Sequence, residues 1–306
     1  MEWWRANWSA KWRRLNLQTM ATAAAVALIA AALAFGYYIN NVATLAAPPK
    51  SVATVAPDKQ LPQPTPDPVV DPLTSLPADV NAIITAQTTL SASATVINLD
   101  TGREYDAGNY TQTYEAASTS KLVAVFDYIH QVELGKASLS QTIEGDQAQD
   151  IIMRMIVNSD NDAWDKLNHY LRLSGEQKYL NSIGVNGLMT SANIQFSTPA
   201  MAKLLQLFYQ GKLMNAAHQS LIYGYMAHTT MNKLIPAAVP TGSMVYHKYG
   251  EIDGVLHDAA IIQYQGHNFV LVVYTNNPAN NMGQYGVQVK LIHAITTTVC
   301  ADMAKA

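Results

Sequence analysis

The chain is poor in cysteine and in charge. Cys300 is the single cysteine among 306 residues, so an internal disulfide and a cysteine-rich metal site are both excluded. Only 13% of residues are charged and the net charge is −3. That is about half the usual charged share, and it leaves no basic surface for nucleic acid, which is not an expected partner. The eight histidines show no ligand spacing with acids, so no metal or other cofactor is expected. Proline is scarce outside one stretch, where nine of the thirteen lie between Pro48 and Pro77. There is no internal repeat. What the chain does have is apolar residues, 49% of the total, enough for a substantial core.

The N-terminal part divides by composition. "MATAAAVALIAAALAFGYYI", Met20 to Ile39, carries no charge. As a helix it would be about 30 Å long and match a bilayer's hydrocarbon core. Arg5, Lys11, Arg13 and Arg14 precede it, which favours a cytoplasmic N-terminus and an exported remainder. Ala32-Leu33-Ala34 leaves a cleaved signal peptide as the alternative. The proline-rich stretch, with its alternating "LPQPTPDP", reads as extended linker or as disordered chain. The expected organisation is a basic, Trp-rich cytoplasmic segment (1–19), a single-pass membrane anchor (20–39), a linker (40–75) and an extracytoplasmic folded domain (76–306).

Within 76–306 the hydrophobic period changes twice. Residues 76–90 have helical spacing, and 94–102 with 104–117 read as an antiparallel hairpin. Helical patterns then fill 118–134, 146–157, 161–172, 175–183, 198–212 and 215–227. Strand patterns return in "MVYHKYGEI", "VLHDAAIIQYQ" and "HNFVLVVYTNN", and a helix over about 281–303 closes the chain. The expected fold is α/β of the α+β kind, with an antiparallel five-stranded sheet from both chain ends and a helical lobe inserted between them. A site would then lie where sheet meets lobe.

Three short motifs carry chemistry. "EAASTSKLVAVFDY" puts Ser118 and Lys121 three apart at a helix start, so hydroxyl and amine share a face. Serine is a weak nucleophile until a base takes its proton, and lysine can be that base only when neutral. The bland alternative is a capping serine beside a solvated lysine. Ser159-Asp160-Asn161 sits between two helical patterns, where such residues also serve as ordinary caps. Lys248-Tyr249-Gly250 lies in a strand pattern, where a lysine is often a solvated edge residue and a glycine a bulge.

In this order the three motifs resemble the signatures of the penicillin-recognising serine enzymes, the class A β-lactamases and D,D-peptidases. "YEAASTSKL", "STPAMAKLLQLFYQGKLM" and "GEIDGVLHDAAII" are similar to the corresponding segments of that family. The resemblance implies that Ser118 is the acyl-forming nucleophile and Lys121 its base. It implies that Ser159 relays a proton and that Asn161 holds the substrate amide or Lys121. Lys248 would bind the substrate carboxylate and repel a proton from Lys121. Tyr249 and Gly250 would face the substrate, with the backbone N–H groups of Ser118 and Glu251 as the oxyanion hole. The partners implied are β-lactam or wall-peptide substrates.

The chain departs from that pattern twice. Tyr249 replaces a short hydroxyl residue, and no arginine appears on the next strand. His257 is either a substitute for that arginine or a structural residue beside Asp258. The segment "GVNGLMTSANIQFSTP" holds no acid where class A enzymes carry their water-activating glutamate. Glu176, further upstream, reads as a first-turn helix charge. Loss of such a base slows deacylation by about 10²–10⁴-fold. The expected function is therefore an acyl-serine hydrolase with slow turnover. The alternatives are a binding module that uses the same cleft without catalysis, with Tyr249 as a stacking platform, and a purely structural role.

Overall fold

A computed structural model describes residues 71–279 and 285–306. The expected cytoplasmic segment, the anchor and nearly all of the linker lie outside the described residues. Among the described residues no helix is long and apolar enough to cross a membrane. Residues 71–75, expected as linker, already belong to the fold. Asp71 accepts from Tyr105 Oη at 2.8 Å and pairs with Arg103 at 2.7 Å, and Leu73 is buried.

Helix α1 (Leu76–Thr85) leads into the hairpin β1 (Ser91–Asn98) and β2 (Glu104–Gly108). The second arm then leaves the sheet, and β3 (Tyr114–Glu115) pairs elsewhere. A 3₁₀ turn (Ala117–Ser120) runs directly into α2 (Lys121–Glu133). Next come the short hairpin β4 (Thr142–Ile143) and β5 (Asp146–Gln147), then α3 (Ala148–Val157), α4 (Asn161–Leu171) and α5 (Leu173–Ser182). Strands β6 (Gly187–Met189) and β7 (Ile194–Phe196) join β3 in a small sheet. After α6 (Thr198–Tyr209), α7 (Ala216–Met226) and the single turn α8 (Ile235–Ala238), the chain returns as β8 (Met244–Ile252), β9 (Val255–Tyr264) and β10 (His267–Asn276). Helix α9 (Gly286–Met303) ends it.

The main sheet has the order β2-β1-β10-β9-β8, and every pairing in it is antiparallel. This is the expected five-stranded sheet from both chain ends. Its central strands are apolar on both faces because both faces are covered. Phe269, Leu271 and Val273 point into a core shared with α1 and α9. Val270, Val272 and Tyr274 alternate to the other face and pack with the helical lobe. Helix α2 runs through the centre of the lobe, and each residue from Lys121 to Ile129 is buried. Strand β8 is a sheet edge, and that edge lies against the 3₁₀ turn.

Candidate active site

The nucleophile segment is bent before it begins. Ala117 has φ +47°, a left-handed conformation that costs a residue with a Cβ about 1–3 kcal/mol. The bend turns the chain out of β3, and Ser118 follows, half-buried on a cavity of about 300 Å³. Lys121 lines the same cavity and is only 2% exposed.

The turn after α3 is bent in the same way. Ser159 has φ +56°, and Asp160 caps α4 by accepting the Ala163 N–H at 3.2 Å. Asp160 thus fills the capping role, while its two neighbours face Lys121. Lys121 Nζ donates to Ser159 O at 2.5 Å and to Asn161 Oδ1 at 2.7 Å, with Ser159 Oγ at 3.5 Å. From the sheet, Lys248 Nζ donates to the same Ser159 Oγ at 2.8 Å and to Tyr249 O at 2.9 Å. Lys248 is fully buried, not a solvated edge lysine. Three distant motifs therefore meet at one serine.

Both amines sit where charge is costly. Burial lowers Lys121 from 10.5 to about 8, against the pull of Asp160 and Asp165. That drop is worth roughly 3 kcal/mol against the charged form. Lys248 lies well below 10.5, first from complete burial and then from the nearby Lys121 amine, with Asp258 opposing. The repulsion is mutual, so protonating one amine disfavours protonating the other. A neutral amine has two N–H groups and one lone pair. On neutral Lys121 the two close acceptors can take both N–H groups, which leaves the lone pair for the Ser159 hydroxyl at 3.5 Å or for a proton from Ser118. Ser118 Oγ, however, makes no hydrogen bond to any described residue. The pair shares a cavity without a direct hydrogen bond.

Gly250 is not a bulge. It stays in register opposite His257, and a Cβ there would come within 3.0 Å of Ala116 O and Ser118 N. Glycine lets the strand pass against the nucleophile segment. In an antiparallel strand a residue's N–H and C=O face the same side. Tyr249 O faces Lys248 Nζ at the outer edge, so the Glu251 N–H, two residues on, faces that edge too. The Tyr249 ring is half-buried, with Lys248 Nζ 4.2 Å from its centre.

One sequence alternative is resolved and one reading needs correction. His257 is the structural residue, buried away from the cavity, although its partners do not include Asp258. Its Nε2–H donates to Glu115 O at 2.9 Å, its Nδ1 accepts the Thr275 N–H at 3.1 Å, and its ring stacks on Tyr274. Burial holds it neutral, near 4. Asp258 instead binds His247 Nδ1 at 2.8 Å and the Ile235 N–H at 3.0 Å. Glu176 does sit in the first turn of α5, but it is fully buried and is not a dipole-complementing charge. Burial and Asp127 push it up to about 8, so it is largely protonated at neutral pH.

The cavity also contains residues that the motifs did not point to: Glu115, Trp164, Asp165 and Ile194. Trp164 and Asp165 follow Asn161 by three and four positions on α4, and helical spacing alone puts them beside it. Glu115 lies within the quoted nucleophile segment. Among the described residues no cluster of His, Cys, Asp and Glu could hold a metal ion.

Known proteins share this fold. The model of the beta-lactamase enzyme family matches residues 75–302. A mutant of PBP-A, solved as an acyl-enzyme complex with penicillin G, is similar at 22% identity, covering 78% of this chain and 100% of that one, with a TM-score of 0.71. A beta-lactamase from Sphaerobacter thermophilus DSM 20745 is 18% identical over 76% of this chain and 98% of its own, with a TM-score of 0.67. One from Chitinophaga pinensis DSM 2588 is 20% identical over 74% of this chain and 99% of its own, also with a TM-score of 0.67. Among curated protein sequences none matches. With its sheet, its inserted lobe and its three converging motifs, the chain belongs to the beta-lactamase enzyme family and is a serine hydrolase.

Proposed function

We propose that the protein is a membrane-tethered, extracytoplasmic enzyme whose Ser118 is acylated by β-lactams or by the D-Ala-D-Ala ends of wall peptides. The observation that carries this reading is the hydrogen-bonded chain from Lys121 through Ser159 to Lys248, beside the cavity that Ser118 enters. In acylation, neutral Lys121 takes the Ser118 proton as Oγ bonds to the carbonyl carbon. The N–H groups of Ser118 and Glu251 hold the oxyanion. As the C–N bond breaks, Ser159 passes a proton to the departing nitrogen and recovers from Lys121 the proton that came from Ser118, which leaves Lys121 neutral again. Asn161 keeps Lys121 in place. The uncharged Met20–Ile39 stretch and the basic residues before it support the tether.

Slow hydrolysis belongs to the same proposal. The stretch 184–199 contains no acid, and Ile194 is its only residue on the cavity. The test is to incubate the full chain with a fluorescent penicillin and look for a covalent adduct that survives denaturation. Wild type is expected to label and Ser118→Ala is not. An unlabelled wild type, or equal labelling of the variant, rejects the acyl-serine reading. The Tyr249 ring beside Lys248 favours a second reading, a wall-peptide binder without chemistry. That reading requires saturable peptide binding unchanged in Ser118→Ala and no adduct.

A further inference from the structure

We propose that Glu115 is the base that activates water to release the acyl group from Ser118. The inference rests on the acyl-serine reading above and supplies a base for the deacylation that remains without the usual acid. Glu115 and Ser118 line the same cavity of about 300 Å³. The position of Glu115 is fixed by two partners. It pairs with Gln195 across β3 and β7, and its carbonyl accepts the His257 Nε2–H at 2.9 Å.

Three acids line this cavity, and they differ in surroundings. Asp165 and Glu251 are exposed, whereas Glu115 is half-buried. Burial lifts the Glu115 carboxyl above its ordinary 4.5, while the backbone N–H groups of Ile194 and Ala117 draw it back. A partly dehydrated carboxylate is a better proton acceptor near neutrality than a fully hydrated one. Lys121 has its own task in acylation.

The step balances without any further reactant. A water in the cavity gives a proton to the Glu115 carboxylate as its oxygen bonds to the acyl carbon. The tetrahedral intermediate then collapses and the ester C–Oγ bond breaks. The proton held by Glu115 returns to Ser118 Oγ, so serine and ionised Glu115 are both regenerated and the acid product departs.

The experiment uses the full chain acylated with benzylpenicillin. Free drug is removed, and decay of the adduct is followed by intact mass. Glu115→Gln is expected to acylate within about threefold of wild type, which also reports that it folds, and to lose its adduct about 10²-fold more slowly. Added formate is expected to restore part of the decay in Glu115→Ala, a rescue that a merely structural role would not give. Adduct decay at the wild-type rate in Glu115→Gln overturns the assignment. So does an equal loss of acylation and deacylation, or slowing in Asp165→Asn but not in Glu115→Gln. If wild type forms no adduct, the acyl-serine reading falls as well, which separates that failure from this one.

Discussion

Among the described residues two buried pairs of like titratable groups are treated differently. Lys121 and Lys248 are 2% and 0% exposed, and each amine has close acceptors at 2.5–2.9 Å. Asp127 and Glu176 are equally dry, at 2% and 0%. Gln131 donates to Asp127 Oδ1 at 3.0 Å, and Asn168 is placed to donate to Glu176 Oε1. Glu176 Oε2 and the neighbouring Tyr179 Oη have no partner. Both pairs have displaced proton affinities, but only the lysine pair has a member, Lys121, on the cavity that holds Ser118. A displaced pKa marks dehydration. Satisfied partners beside a nucleophile mark a site where the proton can move.

The sharpest way to break this contrast is Lys121→Met, which is expected to lower the acylation rate by at least about 10³-fold in stopped-flow measurements with a chromogenic β-lactam. In wild type the neutral amine is the active form. Acylation should therefore rise about tenfold per pH unit below an apparent value near 8 and level off above it. That value belongs to the coupled lysine pair. A profile flat from pH 6 to 9 would remove Lys121 from the role. Next in size is Gly250→Ala, whose Cβ would press on backbone at 3.0 Å. It is expected to slow acylation by about 10–10²-fold and to cost about 1–3 kcal/mol in chemical denaturation. Unchanged acylation would mean that the strand does not set the site.

The smallest effect is expected at the acid pair. Folded Glu176 keeps its proton up to about 8, while an unfolded glutamic acid releases it near 4.5. Between those values the folded state holds more protons, so this group's contribution to stability falls as pH rises. Glu176→Gln cannot ionise and loses that slope. At pH 8 the variant should be more stable by about 1–3 kcal/mol, a gain that vanishes near pH 4.5, with acylation within about threefold of wild type. A destabilised variant at pH 8 would show that the acid is needed as an acid.

The sequence made the scaffold legible because its periods were unambiguous. Two-residue alternation at both ends framed 3.6-residue patterns in between, and the sheet and lobe follow from that. Lys121, Ser159, Asn161 and Lys248 meet in one hydrogen-bonded network, and Ser118 lines the same cavity as Lys121, because each motif fixes a local turn and the fold does the rest. Short elements were not legible. Strands β6 and β7 are three residues each, and β7 is held between β6 and β3, a pairing that no local pattern encodes. The burial of Glu176 and the true partner of Asp258 were hidden for the same reason. Both depend on which helix or strand lies opposite. Glu115 was in view from the start, but its place on the cavity depends on the bend at Ala117.

One wall of the cleft has a practical consequence. The other four tryptophans occupy positions 3, 4, 8 and 12, so Trp164 is the sole indole from residue 13 onward, and it borders the space that an incoming ligand must enter. Replacing those four by phenylalanine would leave a chain whose tryptophan emission, excited selectively over tyrosine, comes from a single ring on the wall of the cleft. Occupancy could then be followed in real time without attaching any dye.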